Sequence, residues 1–418
     1  MEASAVLVAL FLLLLITKWH GDRLYRFAAL PAFFGHLFIS IIVLPRLPYT
    51  WDIDQFHDVA SAFVSGELVS TSSTVATYGT FQGLLYVFFP SEPVTAAVFN
   101  GLFAVLVYIP VAYLYRSLYP WMSDHSYGVM ALILYLPLPF LFFSLPMRDA
   151  LSAFSFISLL ALGVYALRGR DAAVGLTMVP LWGMVFLLRP ELGLVGLIGF
   201  GAAGSVKLIR SLGLELSIPS LAVVLGGLGA LGFGLFAGVL YSFEAVNAEL
   251  AYRAKGGAVY LDGMQYSSWF DFLLAAPGRA IYFIFTPFPL HVESVFHLLA
   301  FTATPIVIVL FVSAIRSLYE CEFDETVAVL LVVVFLAGSA GYGAINSNFG
   351  TGVRHRMTLE FILVIVAAPV ISRWELLVGE WLGVVPRHGG EHDEQQRKAQ
   401  KLDCHVEARR EYPDEAGE

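Results

Sequence analysis

Five short stretches of this chain place acidic and basic side chains at the mouths of apolar runs. Residues 51–58 read Trp-Asp-Ile-Asp-Gln-Phe-His-Asp and supply Asp52, Asp54 and Asp58. A carboxylate at a membrane surface can take the proton of an acceptor hydroxyl or hold a divalent cation. The same residues also suit a helix cap and a solvated helix face. Two further stretches, Leu-Pro-Met-Arg148-Asp149 and Leu-Leu-Arg189-Pro190-Glu191, each set an arginine beside a carboxylate where a helix begins. Arginines at helix N-termini make an anion site suited to phosphate or pyrophosphate. Taken singly, each is equally a capped helix whose arginine snorkels to the interface. The fourth stretch, 346–356, reads Asn-Ser-Asn-Phe-Gly-Thr-Gly-Val-Arg-His-Arg and brings Arg354, His355 and Arg356. Its small residues allow close backbone approach to a ligand, and His355 is a reserve proton carrier. The fifth carries Arg253 and Lys255 among tyrosines that suit either an aromatic belt or sugar stacking.

The elements that must position these groups are membrane helices. Of 418 residues 58% are hydrophobic and only 14% charged, and the mean hydropathy is +0.75. That is too little charge to cover a soluble domain of this size. The apolar runs are continuous rather than alternating, which excludes a β-barrel and leaves helices. The fold class is therefore all-α, a polytopic transmembrane bundle. Apolar stretches fall at 4–17, 27–45, 77–89, 93–115, 127–146, 149–167, 172–188, 191–206, 218–242, 271–288, 294–315, 326–345 and 357–372. The stretch 77–89 is short and 271–288 carries Pro277, Gly278 and Arg279, so both are expected to be re-entrant or interfacial, leaving about 11 spans. In 51–65 the apolar positions recur at helical spacing, which predicts an amphipathic helix lying on the membrane.

Counting Lys and Arg in short loops puts the first loop and the C-terminus in the cytoplasm. With 77–89 and 271–288 re-entrant, as their lengths suggest, the loops 46–76, 243–270 and 346–356 and the turns at Arg148 and Arg189 share the extracytoplasmic side; were both to span, the middle of the chain would be flipped, and the count of Lys and Arg is nearly even between the two. Residues 1–372 form the integral membrane domain, and the polar stretch 373–418 is expected to be a disordered cytoplasmic tail. The segment 4–17 has no preceding Lys or Arg and no A-x-A pattern, so it reads as a retained helix rather than a signal peptide. Cys321 and Cys404 lie far apart and suggest neither a disulfide framework nor a metal site. The net charge of −9 comes with no basic stripe, so nucleic acid is not an expected partner.

Five features together resemble the GT-C-type polytopic membrane glycosyltransferases and O-antigen-polymerase-like proteins of surface polysaccharide assembly. They are an Arg-Asp opening a middle helix, Leu-Leu-Arg-Pro-Glu about forty residues later, Tyr252-Arg253-Ala254-Lys255, Pro287-Phe288-Pro289, and Asn-Phe-Gly-Thr-Gly-Val-Arg-His-Arg. The resemblance spans roughly residues 50–372. It implies a GT-C-like fold and a polyprenyl-linked sugar donor at the outer leaflet of the plasma membrane. It also implies a glycan, lipid or protein acceptor. Carried over residue by residue, Arg148, Arg189, Arg354 and Arg356 hold the lipid phosphate, and Asp52–Asp58 matches the acidic first-loop motif. Here that motif follows the second span, whereas many GT-C enzymes carry it after the first. Two other functions fit the same residues: a transporter or flippase for an anionic lipid-linked glycan, and a non-enzymatic subunit of a polysaccharide assembly complex.

Overall fold

The computed structural model describes residues 3–46, 51–67, 69–122, 126–169, 172–214, 242–254, 258–261 and 263–381. Among them the structure is helical, and its strand-like pairing is an isolated antiparallel bridge between Val259 and Asn348. In chain order the helices are α1 (Ala3–His20), α2 (Arg23–Phe38), α3 (Trp51–Ser65), α4 (Ser73–Phe88), α5 (Pro93–Leu106), α6 (Tyr108–Leu118), α7 (Tyr127–Tyr135) and α8 (Pro137–Phe142). They continue as α9 (Asp149–Leu167), α10 (Ala172–Leu188), α11 (Pro190–Ser211), α12 (Phe243–Arg253), α13 (Trp269–Phe285), α14 (Val295–Glu320), α15 (Glu325–Ile345) and α16 (Phe349–Trp381). Two compact units are distinguished, Met1–Ile371 and Ser372–Glu418. Of the second, the described part is the end of α16; the tail from 382 lies outside the described residues.

Among the described residues, eight helices are long and apolar enough to cross a membrane: Ala3–His20, Arg23–Arg46, Pro93–Leu118, Asp149–Leu167, Pro190–Ser211, His297–Glu320, Glu325–Ile345 and Phe349–Glu375. This is a helical membrane protein. The other three stretches expected to span differ in kind. The stretch 127–146 is divided at Leu136, because Pro137 cannot donate an amide to the turn before it. The stretch 172–188 forms a helix of 17 residues, and 218–242 lies outside the described residues. The short stretch 77–89 lies in α4, whose 16 residues pack on α3, and 271–288 lies in the 17-residue α13.

The most buried element is α16, whose residues from Met357 to Ile371 are almost all enclosed. It meets α9 at Asp149, α13 at Phe283 and α15 at Gly338. Close approach at these crossings depends on small residues: a Cβ at Gly343 would fall 2.7 Å from the Arg279 carbonyl oxygen, so α13 and α15 touch backbone to backbone there. Membrane helices gain little from hydrophobic burial against each other, so side-chain hydrogen bonds help fix register. Tyr119 donates to the Val366 carbonyl (2.7 Å) and Tyr25 to the Val105 carbonyl (2.9 Å).

Candidate functional site

The site begins at the turn before α9. Asn100, fully buried in the middle of α5, sets its side-chain nitrogen 2.6 Å from the Leu145 carbonyl, 2.7 Å from that of Met147 and 3.0 Å from the Tyr78 hydroxyl. The Ser144 hydroxyl meets His36 Nδ1 (2.7 Å) and its carbonyl accepts from Ser40 (2.7 Å). With both sides of the turn held, the chain leaves it as Arg148 and enters α9 at Asp149. Asp149 is 3% exposed and stands where the helix dipole favours an anion.

A second turn meets the first. Pro190 occupies the first position of α11, where its missing amide costs nothing. The residue before it, Arg189, is held in extended backbone and is 4% exposed. Its guanidinium is paired directly with Asp149. Arg148 reaches across to donate to the Leu188 carbonyl at the end of α10 (3.3 Å). The carboxylate of Asp149 also receives Arg354, from Nη2 at 3.0 Å and Nε at 3.3 Å.

Arg354 lies in the second turn of α16. The sequence reading makes 346–356 a turn, but the helix starts at Phe349. The reason is Asn348, whose side-chain oxygen accepts from the amides of Gly350 (2.9 Å) and Thr351 (3.2 Å) and so caps the helix. Those amides are therefore engaged by the chain itself rather than offered to a ligand. The third group of Arg354, Nη1, donates to Asp52 at 2.6 Å.

Asp52 arrives on α3. Ile53, Phe56, Val59 and Ala60 are buried on one side of this helix, as the apolar spacing predicts. That side lies against α4, where Gly79 makes room: a Cβ there would stand 2.5 Å from Val59 Cβ. Asp54 and Asp58 are on the exposed side of α3 and do not join the cluster. Among the described residues, no group of three or more His, Cys, Asp or Glu side chains is arranged to hold a metal ion.

A second network adjoins the first. Arg253, at the end of α12, donates to Glu249 (2.6 Å) and to Glu191 on α11 (3.3 Å), and its Nη1 lies 3.4 Å from His355 Nδ1. A guanidinium only donates, so Nδ1 is the acceptor and the ring proton sits on Nε2. His355, the reserve proton carrier of the sequence reading, is thus placed beside the Arg253 guanidinium. Its ring packs on Tyr342 of α15, centroids 4.7 Å apart. Arg356, expected to hold phosphate, makes its hydrogen bonds away from the Asp149 cluster, with its Nη2 buried and unpartnered. It is 1% exposed, turned away from Arg354, and donates to Glu360 (2.8 Å) and to the carbonyls of Ile284 (2.8 Å) and Thr286 (2.5 Å). Lys255 lies outside the described residues.

The network leaves cationic and polar atoms unused. Arg148 makes no ion pair with any described carboxylate, and its Nε is buried without a partner. So are Arg189 Nη1 and the Tyr342 hydroxyl. A buried donor without an acceptor costs about 1–3 kcal/mol, a cost that a ligand oxygen placed against these donors would remove. Burial, then the nearby Arg189 guanidinium, lowers Arg148 from its ordinary value to about 10, which leaves it charged at neutral pH. The N-termini of α9, α11 and α16 converge here and add their positive ends. Chemically the arrangement is a cradle for an anion. Sequence reasoning missed Asn100 and Tyr342, each lying inside an apolar helix with no motif around it. Comparison of the chain with protein-family models, with curated proteins and with solved structures finds no match.

Proposed function

We propose that the protein is a glycosyltransferase of the plasma membrane. It takes a sugar from a polyprenyl-phosphate-linked donor at the outer leaflet and passes it to a hydroxyl of a glycan, lipid or protein in surface polysaccharide or glycoconjugate assembly. The observation that carries this reading is the pair of buried Arg189 and half-buried Arg148 at converging helix N-termini, each with a buried donor atom unused. Lipid-linked phosphate is the anion that a bilayer brings to such a place.

In the proposed step the acceptor oxygen attacks the anomeric carbon. The bond from that carbon to the phosphate oxygen breaks, and its electron pair leaves with the lipid phosphate. Arg148 and Arg189 stabilise the charge that develops there. The acceptor proton goes to Asp52, the carboxylate of the cluster with 22% of its side chain exposed. Arg354 orients Asp52, and buried Asp149 fixes Arg354 and Arg189 in turn.

A flippase for the same glycan would use the same arginines. Charges in the middle of spans would favour transport; here Asp149, Glu191 and Arg354 lie in the opening turns of their helices. The test is a transfer assay with purified protein in nanodiscs, a polyprenyl-phosphate sugar and an acceptor glycan. The expected result is release of polyprenyl phosphate and sugar-extended acceptor, both abolished in Asp52→Asn with donor binding kept. Donor binding without transfer across a panel of acceptors, joined to donor movement between leaflets of a liposome, overturns the enzyme in favour of the flippase.

A further inference from the structure

Arg279 is a buried cation that the proposed step does not use. It lies on α13, two residues after Pro277, and is 2% exposed. Its guanidinium is spent on uncharged partners. Nε donates to the Gly343 carbonyl in the last turn of α15 (2.7 Å). Nη2 donates to the Asn346 carbonyl (2.7 Å) and the Ser347 hydroxyl (3.1 Å), and Nη1 lies 3.2 Å from Met264 Sδ. One rigid fork therefore holds the end of α15, the link into α16 and the loop before α13. Gly343 permits this, because a side chain there would push α13 and α15 apart.

The link passes this hold on in two directions. Toward α16, the Asn346 side-chain oxygen accepts from the Asn348 amide (3.1 Å), and Asn348 caps the helix that bears Arg354. Toward α12, the Tyr260 amide donates to the Ser347 carbonyl (2.8 Å), the Phe349 amide to the Ala258 carbonyl (2.9 Å) and the Tyr266 hydroxyl to the Ala344 carbonyl (2.7 Å). The Tyr266 backbone exchanges hydrogen bonds with the Asn247 side chain of α12 (2.9 Å each), the helix that ends in Arg253. Arg354 and Arg253 enter the site from these two elements. Arg148 and Arg189 stand on other elements, the turns before α9 and α11, held by Asn100 and Asp149. We propose that Arg279 is a positioning residue of the site: it touches no substrate and sets Arg354 and Arg253 in register with the helices that bear Arg148 and Arg189. Its effect on catalysis rests on the transferase reading; its effect on placement does not.

The experiment compares wild type, Arg279→Met and Arg279→Lys as full chains in nanodiscs, by hydrogen exchange and by transfer kinetics with a polyprenyl-phosphate sugar. In Arg279→Met, exchange should quicken in 263–266 and 346–352 and stay unchanged in 145–152 and 187–193. The KM for the donor should hold while kcat falls about a hundredfold, the cost of misplacing a reacting group by about an ångström. Lysine keeps the charge but loses the fork. Arg279→Lys should therefore show the same pattern to a smaller extent, and it carries the test if the methionine variant fails to fold. Exchange that quickens evenly along the chain makes Arg279 a general stability element and overturns the proposal, as does unchanged exchange at 346–352. A kcat that holds while 346–352 loosens overturns the link from Arg279 to Arg354. Wild-type protein that makes no product while the exchange pattern appears leaves the positioning role standing and sinks the transferase reading alone.

Discussion

The two ends of α9 and α11 carry the same residue types to different effect. The two helices run side by side in one direction, since Arg189 meets Asp149 at their starts and Lys207 meets the Leu167 carbonyl near their ends. At 19 residues α9 is about 28 Å long, close to the thickness of the hydrocarbon layer. At the far end Arg168 pairs with Asp324 at 3.2 Å and Arg210 with Glu325, all partly exposed. The cations there lie at helix C-termini: Arg168 donates to the Ser117 carbonyl in the last turn of α6, and Lys207 to the Leu167 carbonyl ending α9. Each positive charge meets the negative end of a dipole or a carboxylate. At the near end Arg189 and Arg354 stand beside the N-termini of α11 and α16, where dipole and side chain carry the same sign, while Arg148 donates to the Leu188 carbonyl that ends α10. The far end holds its ion pairs partly exposed, whereas the near end encloses Asp149 between two guanidiniums and leaves Arg148 with no described carboxylate at ion-pair distance. Counting arginines does not separate the ends; helix direction and burial do.

The largest effect expected from this contrast is on stability. Arg189→Ala leaves Asp149 buried with half its cationic partners, so the unfolding free energy should fall by about 3–5 kcal/mol. The matching change at the far end, Arg168→Ala, removes a partly exposed pair and should cost under about 1 kcal/mol. Denaturant unfolding in a single detergent, read by tryptophan fluorescence, compares the two. Equal losses would erase the distinction between the ends.

Arg148→Met sharpens the contrast because it separates stability from binding. This guanidinium is half-buried without a described carboxylate, so its loss removes a partly desolvated cation. The variant should unfold at the same temperature or higher, while affinity for a polyprenyl-phosphate sugar drops about tenfold to a hundredfold. A destabilised variant that still binds would mean that Arg148 is a structural cap on α10.

A subtler change tests the electrostatics of the same position. Burial and its cationic neighbours lower Arg148 from its ordinary value to about 10. A lysine starts near ~10.4, so the same surroundings should bring Arg148→Lys to roughly 8. The group binds the anion as a cation, and a lowered value means that the charge is lost as pH rises through it. Donor affinity of the wild type should hold between pH 6 and pH 9, by the ~10 to which Arg148 is lowered. That of the lysine variant should fall as pH passes ~8. A flat profile for the lysine variant would place the position in contact with water.

The sequence exposed more of the near end than of the rest because charge beside apolar sequence is costly and stands out. Arg148, Asp149, Arg189, Glu191, Arg354 and Asp52 were all readable, and the structure brings them together. Which member of a pair points inward was not readable without the helix. Residues two apart on a helix face nearly opposite sides. That one rule sends Asp52 toward Arg354 while Asp54 faces out, and sends Arg354 to Asp149 while Arg356 turns to Glu360, four residues on. Reading 346–356 as a turn concealed the second case, because Asn348 as a cap outweighs the glycines that follow it. Asn100 and Tyr342 were hidden for another reason: a single polar atom in an apolar helix has no pattern, and its role exists only through partners distant in sequence. The same holds for spans. Leu-Pro-Leu-Pro at 136–139 lies in an apolar run long enough to cross, and a missing proline amide divides it.

The smallest effect expected is at Lys207. Its amine donates to the Leu167 carbonyl from an exposed position, so Lys207→Ala should shift stability within about 0.5 kcal/mol and leave donor binding unchanged. The informative version is Lys207→Glu. It puts an anion at the C-terminal end of α9 and near Asp324, repelled by both, so it should destabilise more than alanine does while still sparing the phosphate site one helix length away. If Lys207→Glu instead weakened donor binding as strongly as Arg148→Met, the two ends would be coupled through α9 and α11. The division into an end of partly exposed ion pairs and a ligand-binding end would then give way to a single electrostatic unit running the length of both helices.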